Sequence, residues 1–113
     1  MQVLVVDDEI AIVNLLAEVL TDEGYIVNKA HDGRDALAML RSGLRPRVIV
    51  TDIMMPNLDG IGLYHAIRNE FSSDIGVVLA SAGKKIRPND SRTLFVAKPF
   101  SVIDIIEAVE YLM

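Results

Sequence analysis

Short apolar runs alternate along this chain with stretches whose hydrophobic residues recur every three or four positions. The runs are Val3-Leu4-Val5-Val6, Tyr25 to Lys29, residues 47–51, residues 75–80 and Leu94-Phe95-Val96-Ala97. Each is four to six residues long and reads as a strand. Between them, residues 9–23 read as a helix, with Ile10, Val13, Leu16 and Leu20 on one track and Ile12, Leu16 and Val19 on the next. Gly24 is a natural stop. Residues 33–42 form a shorter helix carrying Ala36, Leu37 and Leu40, ended at Gly43. Asp59 is placed to cap a helix over 60–70, with Ile61, Leu63, Ala66 and Ile67 inward. Ser101 caps a last helix from 102 to about 112. Its buried stripe is Val102, Ile105, Ile106, Val109 and Leu112, and its wet side carries Asp104, Glu107 and Glu110.

The strand runs lack polar alternation, which marks a parallel sheet covered on both faces. Right-handed crossovers through the helices then give a doubly wound α/β sandwich. One connection breaks the rhythm. Ser81 to Thr93 contains one large apolar residue, Ile86, with Pro88 mid-segment and Pro-Asn-Asp-Ser turn chemistry after it. It reads as a loop with at most one turn of helix.

Composition narrows the class. At 113 residues the chain has room for one domain, spanning 1–113. Half of the residues are hydrophobic and a quarter charged, as in a globular core. A net charge of −5 argues against nucleic acid as a primary ligand. Cysteine is absent, so there is no disulfide framework and no thiolate metal site. The N-terminus enters a strand at once, without a signal-peptide pattern, and no apolar run approaches the roughly 20 residues that span a bilayer. The expected setting is cytoplasmic, without membrane attachment.

Chemistry collects at the ends of the strands. Asp7 and Asp8 end the first run, Asp52 the third, and Lys98, followed by Pro99, the fifth. In a parallel sheet those ends face one crevice, where doubly wound folds bind ligands. Three acids and a lysine there would attract a divalent cation and then a phosphoryl group. Singly, each has a plainer reading. Asp7-Asp8-Glu9 suits the dipole at a helix N-terminus, Asp52 could open a turn, Lys98 could be a surface lysine and Ser81 a polar strand end. His31 and His65 are isolated from the acids, and packing or surface roles suit them better. The functional case rests on all the groups coinciding at strand ends.

These residues resemble the signature of response-regulator receiver domains, the phosphoacceptor half of two-component signalling. Val-Leu-Val-Val-Asp-Asp-Glu opens the chain. Val-Ile-Val-Thr-Asp-Ile-Met-Met-Pro-Asn-Leu-Asp-Gly, Val-Val-Leu-Ala-Ser-Ala and Phe-Val-Ala-Lys-Pro-Phe follow in order, so the resemblance covers essentially the whole length. It implies a flavodoxin-like three-layer sandwich with strand order 2-1-3-4-5. It implies that Asp52 accepts the phosphoryl group, that Asp8, Asp52 and the Met54 carbonyl ligate Mg²⁺, and that Asp7 binds through water. Mg²⁺ favours such hard oxygen donors and usually takes one or two carboxylates plus phosphate oxygens. Lys98 would add a point cation, Ser81 a hydroxyl to the phosphoryl group, and Ala82 room for it. Lys98-Pro99 would be cis. Ser81 and Phe95 would form the switch pair. The expected partners are a sensor histidine kinase or histidine phosphotransfer protein, and a downstream target or output domain outside this chain.

Two departures stand out. The connection from Ser81 to Lys98 is several residues shorter than the usual receiver pattern, so the family's fourth helix is expected to be short or absent. That stretch instead carries Lys84, Lys85, Arg87 and Arg92 against Asp90. The switch aromatic, Phe95, has no hydroxyl, so packing alone would drive any inward swing. Two other classes compete. A haloacid-dehalogenase-type phosphohydrolase wants Asp-x-Asp after its first strand, and Asp7-Asp8-Glu9 does not provide it. A receiver-like interaction module that is never phosphorylated would not need the full set of Asp7, Asp8, Asp52, Ser81 and Lys98. The expectation is a signalling switch and not an enzyme.

Overall fold

The computed structural model describes residues 1–83 and 90–113. Among the described residues, five strands and four helices follow one another. They are β1 (Gln2–Val6), α1 (Ile10–Asp22), β2 (Ile26–Ala30), α2 (Gly33–Arg41), β3 (Val48–Asp52), α3 (Gly60–Glu70), β4 (Gly76–Ser81), β5 (Thr93–Ala97) and α4 (Val102–Leu112). All neighbouring strands are parallel, in the order β2-β1-β3-β4-β5. The strand order reverses at β1, so β1 and β3 flank the switch point.

The uninterrupted apolar runs conceal a period of two, set by the pleat. Leu4, Val6, Ile49, Val77 and Leu79 share one core with Leu37, Leu40, Leu63 and Ile67 of α2 and α3. Val3, Val5, Val48, Val50 and Val78 share the other with Val13, Leu16, Leu20, Ile105 and Val109 of α1 and α4. β1, β3 and β4 are therefore covered on both sides. The edge strands β2 and β5 are only partly buried, which explains exposed Ile26.

The helix limits have identifiable causes. Asp59 accepts from Gly62 N at 2.8 Å, and Ser101 and Asp104 form a reciprocal capping box. Asp32 caps α2 by accepting from Asp35 N at 2.7 Å. Gly24, at φ +97°, takes the left-handed conformation that ends α1. Gly60 has a different role. A Cβ there would lie 2.3 Å from the Asp52 carbonyl oxygen, so glycine lets α3 start directly against the end of β3.

Several expected limits move by one residue. β2, β3 and β4 each run one residue later than their apolar runs, and β5 begins one earlier at Thr93. Ladder partners decide this: Asp52 pairs with Ala80 and Ser81 with Ala97, so polar residues extend the strands. Ile10 shares the helical track of Val13, Leu16 and Leu20 but, as the first residue of α1, is 62% exposed. The side chain of Met54 is also exposed, whereas Met55 packs against the α2/α3 core. The expected loop over 81–93, with a short or absent fourth helix, falls partly on 84–89, outside the described residues. Of its described part, Ala82 and Gly83 form a bend, and Asp90, Ser91 and Arg92 turn into β5.

Candidate functional site

The carboxyl ends of β1, β3, β4 and β5 build one acidic crevice. Asp7 follows β1, is 3% exposed, and its carboxylate accepts from Glu9 N at 3.0 Å. Asp8 beside it is exposed. Asp52 is the last residue of β3 and is 7% exposed. One carboxylate oxygen from each of Asp7, Asp8 and Asp52 lies within 4.8 Å of the other two. Lys98, one residue past β5, reaches across with its Nζ 3.3 Å from Asp52 Oδ1 and 3.6 Å from Asp7 Oδ2. Its backbone N–H donates to Ser81 O at 2.9 Å, which ties the ends of β4 and β5 together. The Lys98-Pro99 peptide is cis.

Ser81 is buried at the end of β4, and its hydroxyl accepts from Gly83 N at 3.3 Å. Phe95, opposite Leu79 in the ladder, is partly buried against the α2/α3 core. Met54 stands two residues beyond Asp52 in the connection to α3. All the expected site residues thus share one end of the sheet except Phe95, which sits within β5. His31 and His65 are exposed and join none of them.

The electrostatics follow from crowding. Burial raises the carboxyl of Asp52 above its ordinary value, Lys98 opposes the rise, and Asp8 adds to it. Asp7 is raised likewise, first by burial, against the Glu9 N–H and Lys98, with Asp52 and Asp8 adding repulsion. Burial works against the ammonium of Lys98, but Asp7 and Asp52 outweigh it and raise its pKa. One ammonium cannot neutralise three carboxylates. The donor set is hard oxygen, partly sheltered and short of positive charge, which suits a hard divalent cation better than a soft metal.

Two features were not read from the sequence. An apolar recess of about 440 Å³ opens beside Lys98, lined by Glu9, Ile12, Ala82, Pro99 and Phe100. At the opposite end of the sheet, Asp90 accepts from Tyr64 Oη at 2.7 Å, Thr93 Oγ1 at 2.8 Å, Arg92 N at 2.9 Å and Arg68 Nε at 3.2 Å. Arg68 also donates to Ile75 O at 2.7 Å and Thr93 Oγ1 at 2.8 Å, fastening α3 to the starts of β4 and β5. Burial alone would raise Asp90, but these hydrogen bonds outweigh it and hold it down to about 2. The only sequence signal was an acid among basic residues, which does not reveal partners on a helix some 25 residues earlier.

The fold is a doubly wound parallel α/β sheet with three carboxylates and a lysine gathered in the crevice at its switch point, where sheets of this kind bind ligands. The chain belongs to the response regulator receiver domain family, whose model matches residues 3–110. It is 38% identical over 109 residues to a probable transcriptional regulator, ycf27, of Cyanophora paradoxa, across 88% of this chain and 43% of that protein. It is 34% identical over 113 residues to the transcriptional regulatory protein PdtaR of Mycobacterium tuberculosis, across 96% of this chain and 55% of that protein. The chain therefore spans about half the length of these curated relatives. Among solved structures, a response regulator receiver protein from Sinorhizobium medicae superposes with a TM-score of 0.89 at 28% identity, covering 99% of this chain and 93% of that one. The Francisella response regulator 1452 receiver domain gives 0.84 at 30% identity, covering 98% and 94%. The flavodoxin-like receiver fold and the order 2-1-3-4-5 are those expected from the sequence. No helix among the described residues is long and apolar enough to cross a membrane.

Proposed function

We propose that this receiver domain, taken as residues 1–113, accepts a phosphoryl group on Asp52 and signals through the change that follows. The observation that carries this reading is the meeting of Asp7, Asp8 and Asp52 within 4.8 Å, with Lys98 bridging Asp52 and Asp7. Asp52 is the member nearest the middle of the sheet, at the end of β3 between β1 and β4. A carboxylate oxygen of Asp52 attacks phosphorus, the bond from phosphorus to the donor breaks, and the donor leaves with that electron pair. The product is an acyl phosphate.

Mg²⁺ held by Asp8, Asp52 and the Met54 carbonyl, with Asp7 acting through water, would neutralise charge on the group in transfer. Lys98 is already placed to follow that charge, since its ammonium lies 3.3 Å from the Asp52 carboxylate. Ser81 supplies a hydroxyl at the end of the neighbouring strand, and exposed Ala82 keeps the approach open. Ser81 and Phe95 serve as the switch pair. Donors of the histidine kinase or histidine phosphotransfer class fit this chemistry, in the cytoplasm, with a downstream protein or output domain as the receiver of the signal.

Incubation with acetyl phosphate, with and without Mg²⁺, tests the reading by intact mass. The wild type should gain one phosphoryl group only with the metal, and folded Asp52→Asn should gain none. Equal labelling of both proteins would rule out Asp52 as the acceptor.

A further inference from the structure

Met54, whose carbonyl is an expected Mg²⁺ ligand, stands in the connection between β3 and α3, residues 53–59. Both ends of that connection are fixed. Ile53 N donates to Ala80 O of β4 at 2.9 Å, and Gly60 N donates to Ile53 O at 2.9 Å. Between those ends, from Met54 to Leu58, the one hydrogen bond among the described residues comes from a side chain. Asn57 Nδ2 donates to Asp32 Oδ2 at 3.1 Å, across 25 residues of chain. Met55 and Leu58 pack against the α2/α3 core, whereas Met54, Pro56 and Asn57 are exposed.

Asn57 is the one residue other than glycine with positive φ among the described residues, at +66°. Asparagine tolerates this left-handed region, which is costly for most side chains. Asp32 receives its amide with the oxygen that the helix cap leaves over: Oδ1 accepts from Asp35 N at 2.7 Å and Oδ2 from Asn57. The next residue, Gly33, is buried, and a Cβ there would lie 2.3 Å from Leu58 O. Glycine thus lets the first turn of α2 touch the backbone of the connection. Two adjacent residues at the start of α2, Asp32 and Gly33, hold two adjacent residues of the connection, Asn57 and Leu58.

We propose that Asp32 and Asn57 are positioning residues for the cation site: their hydrogen bond fastens the β3–α3 connection to the start of α2, and with it the carbonyl of Met54. Neither side chain touches the ion. The proposal deepens the reading of Asp8, Asp52 and the Met54 carbonyl as Mg²⁺ ligands, and rests on it. Asp52 ends a strand, so the ladder to β4 sets its place. A carbonyl in an irregular segment has no ladder and must be held by something else. A donor that is ordered only when the ion arrives lowers affinity by the entropy of ordering it. Groups behind the ligands of a metal site raise affinity by orienting them beforehand.

Titration of the labelled protein with Mg²⁺, followed by amide NMR, tests this in two single variants and their combination. Asp32→Ser keeps the cap of α2, since serine caps about as well as aspartate, but its one oxygen is then occupied. Asn57→Gly keeps the positive φ and loses the donor. A dispersed amide spectrum certifies each variant as folded. Each single variant should bind Mg²⁺ about three- to fivefold more weakly, the size of one net hydrogen bond. The double variant should bind no more weakly than either, because the two changes remove the same bond. A loss due only to the missing charge of Asp32 would reappear in the Asn57→Gly background, and such additive losses would overturn the proposal. Unchanged Mg²⁺ affinity in either single variant would overturn it as well; a lowered urea midpoint beside that unchanged affinity would show a bond that serves the fold alone. Crevice amides that ignore Mg²⁺ in the wild type would overturn the metal reading itself, and the proposal with it.

Discussion

Replacing Asp90 with Asn should cost stability in a way that depends on pH, and the structure fixes both size and sign. The carboxylate accepts from Tyr64, Thr93, Arg68 and the Arg92 backbone, and these bonds hold its pKa at about 2 against an ordinary 3.8. That difference corresponds to about 2.4 kcal/mol at neutral pH if it counts in full. The side chain is 34% exposed, so solvent screening reduces this to about 1–2 kcal/mol. The folded pKa is depressed. The stabilisation is therefore complete above the unfolded value of 3.8 and drains away as pH falls through about 2. Urea unfolding followed by far-UV circular dichroism is the suitable assay, since the chain has no tryptophan. With a slope of roughly 2 kcal/mol/M, the middle of the usual range for urea, the midpoint of Asp90→Asn should fall by about 0.5–1 M at pH 7. Its deficit against the wild type should narrow below pH 4. An undiminished deficit at pH 3, or none at pH 7, would refute the view that ionised Asp90 clamps α3 to the start of β5.

The crevice should respond in the opposite sense. Asp7 and Asp52 have raised folded pKa values, so their burial as anions destabilises the metal-free protein at neutral pH, and the cost is relieved as pH falls through those values toward 3.8. Asp8→Ala removes one repulsive neighbour. It should weaken Mg²⁺ binding in calorimetry while raising the melting temperature of the metal-free protein; unchanged affinity would remove Asp8 from the metal site. Lys98→Met takes away the ammonium nearest Asp52 and Asp7. Carbon-detected NMR titration should find both carboxyls raised further, and unmoved titrations would mean that the ion pairs do not persist in solution. Amide exchange of Phe95 and residues 90–93, with and without beryllofluoride and Mg²⁺, tests the switch pair. A change in protection at Phe95 is expected, and identical protection in both states would end that role.

How far the sequence speaks differs between parts of the molecule. The sheet was legible because β1, β3 and β4 are covered on both sides, so their runs need hydrophobic residues at every position. Strand ends were less legible, because Asp52 and Ser81 continue the ladder with polar side chains that an apolar count excludes. Caps were plain at Asp59 and Ser101, where local spacing carries the signal. Helical spacing told the face of α1 but not that its first residue, Ile10, is exposed. The convergence of Asp7, Asp8, Asp52 and Lys98 was readable from their positions at strand ends. The bonds from Tyr64 and Arg68 to Asp90 were not, because they depend on how α3 crosses the sheet. The Ser81–Thr93 connection was read from its own turn residues, and its middle, 84–89, lies outside the described residues.

The central claim is that Asp52 itself carries the phosphoryl group. Borohydride reduction of the phosphorylated protein, followed by tryptic mapping, tests it directly, because reduction converts an aspartyl phosphate to homoserine. Cleavage after Arg47 and Arg68 releases a peptide that contains Asp52 and Asp59, and cleavage after Lys29 releases one with Asp7 and Asp8. Fragmentation should place homoserine at position 52 after treatment with acetyl phosphate and Mg²⁺. Homoserine at position 7, 8 or 59 with none at 52 would contradict the account.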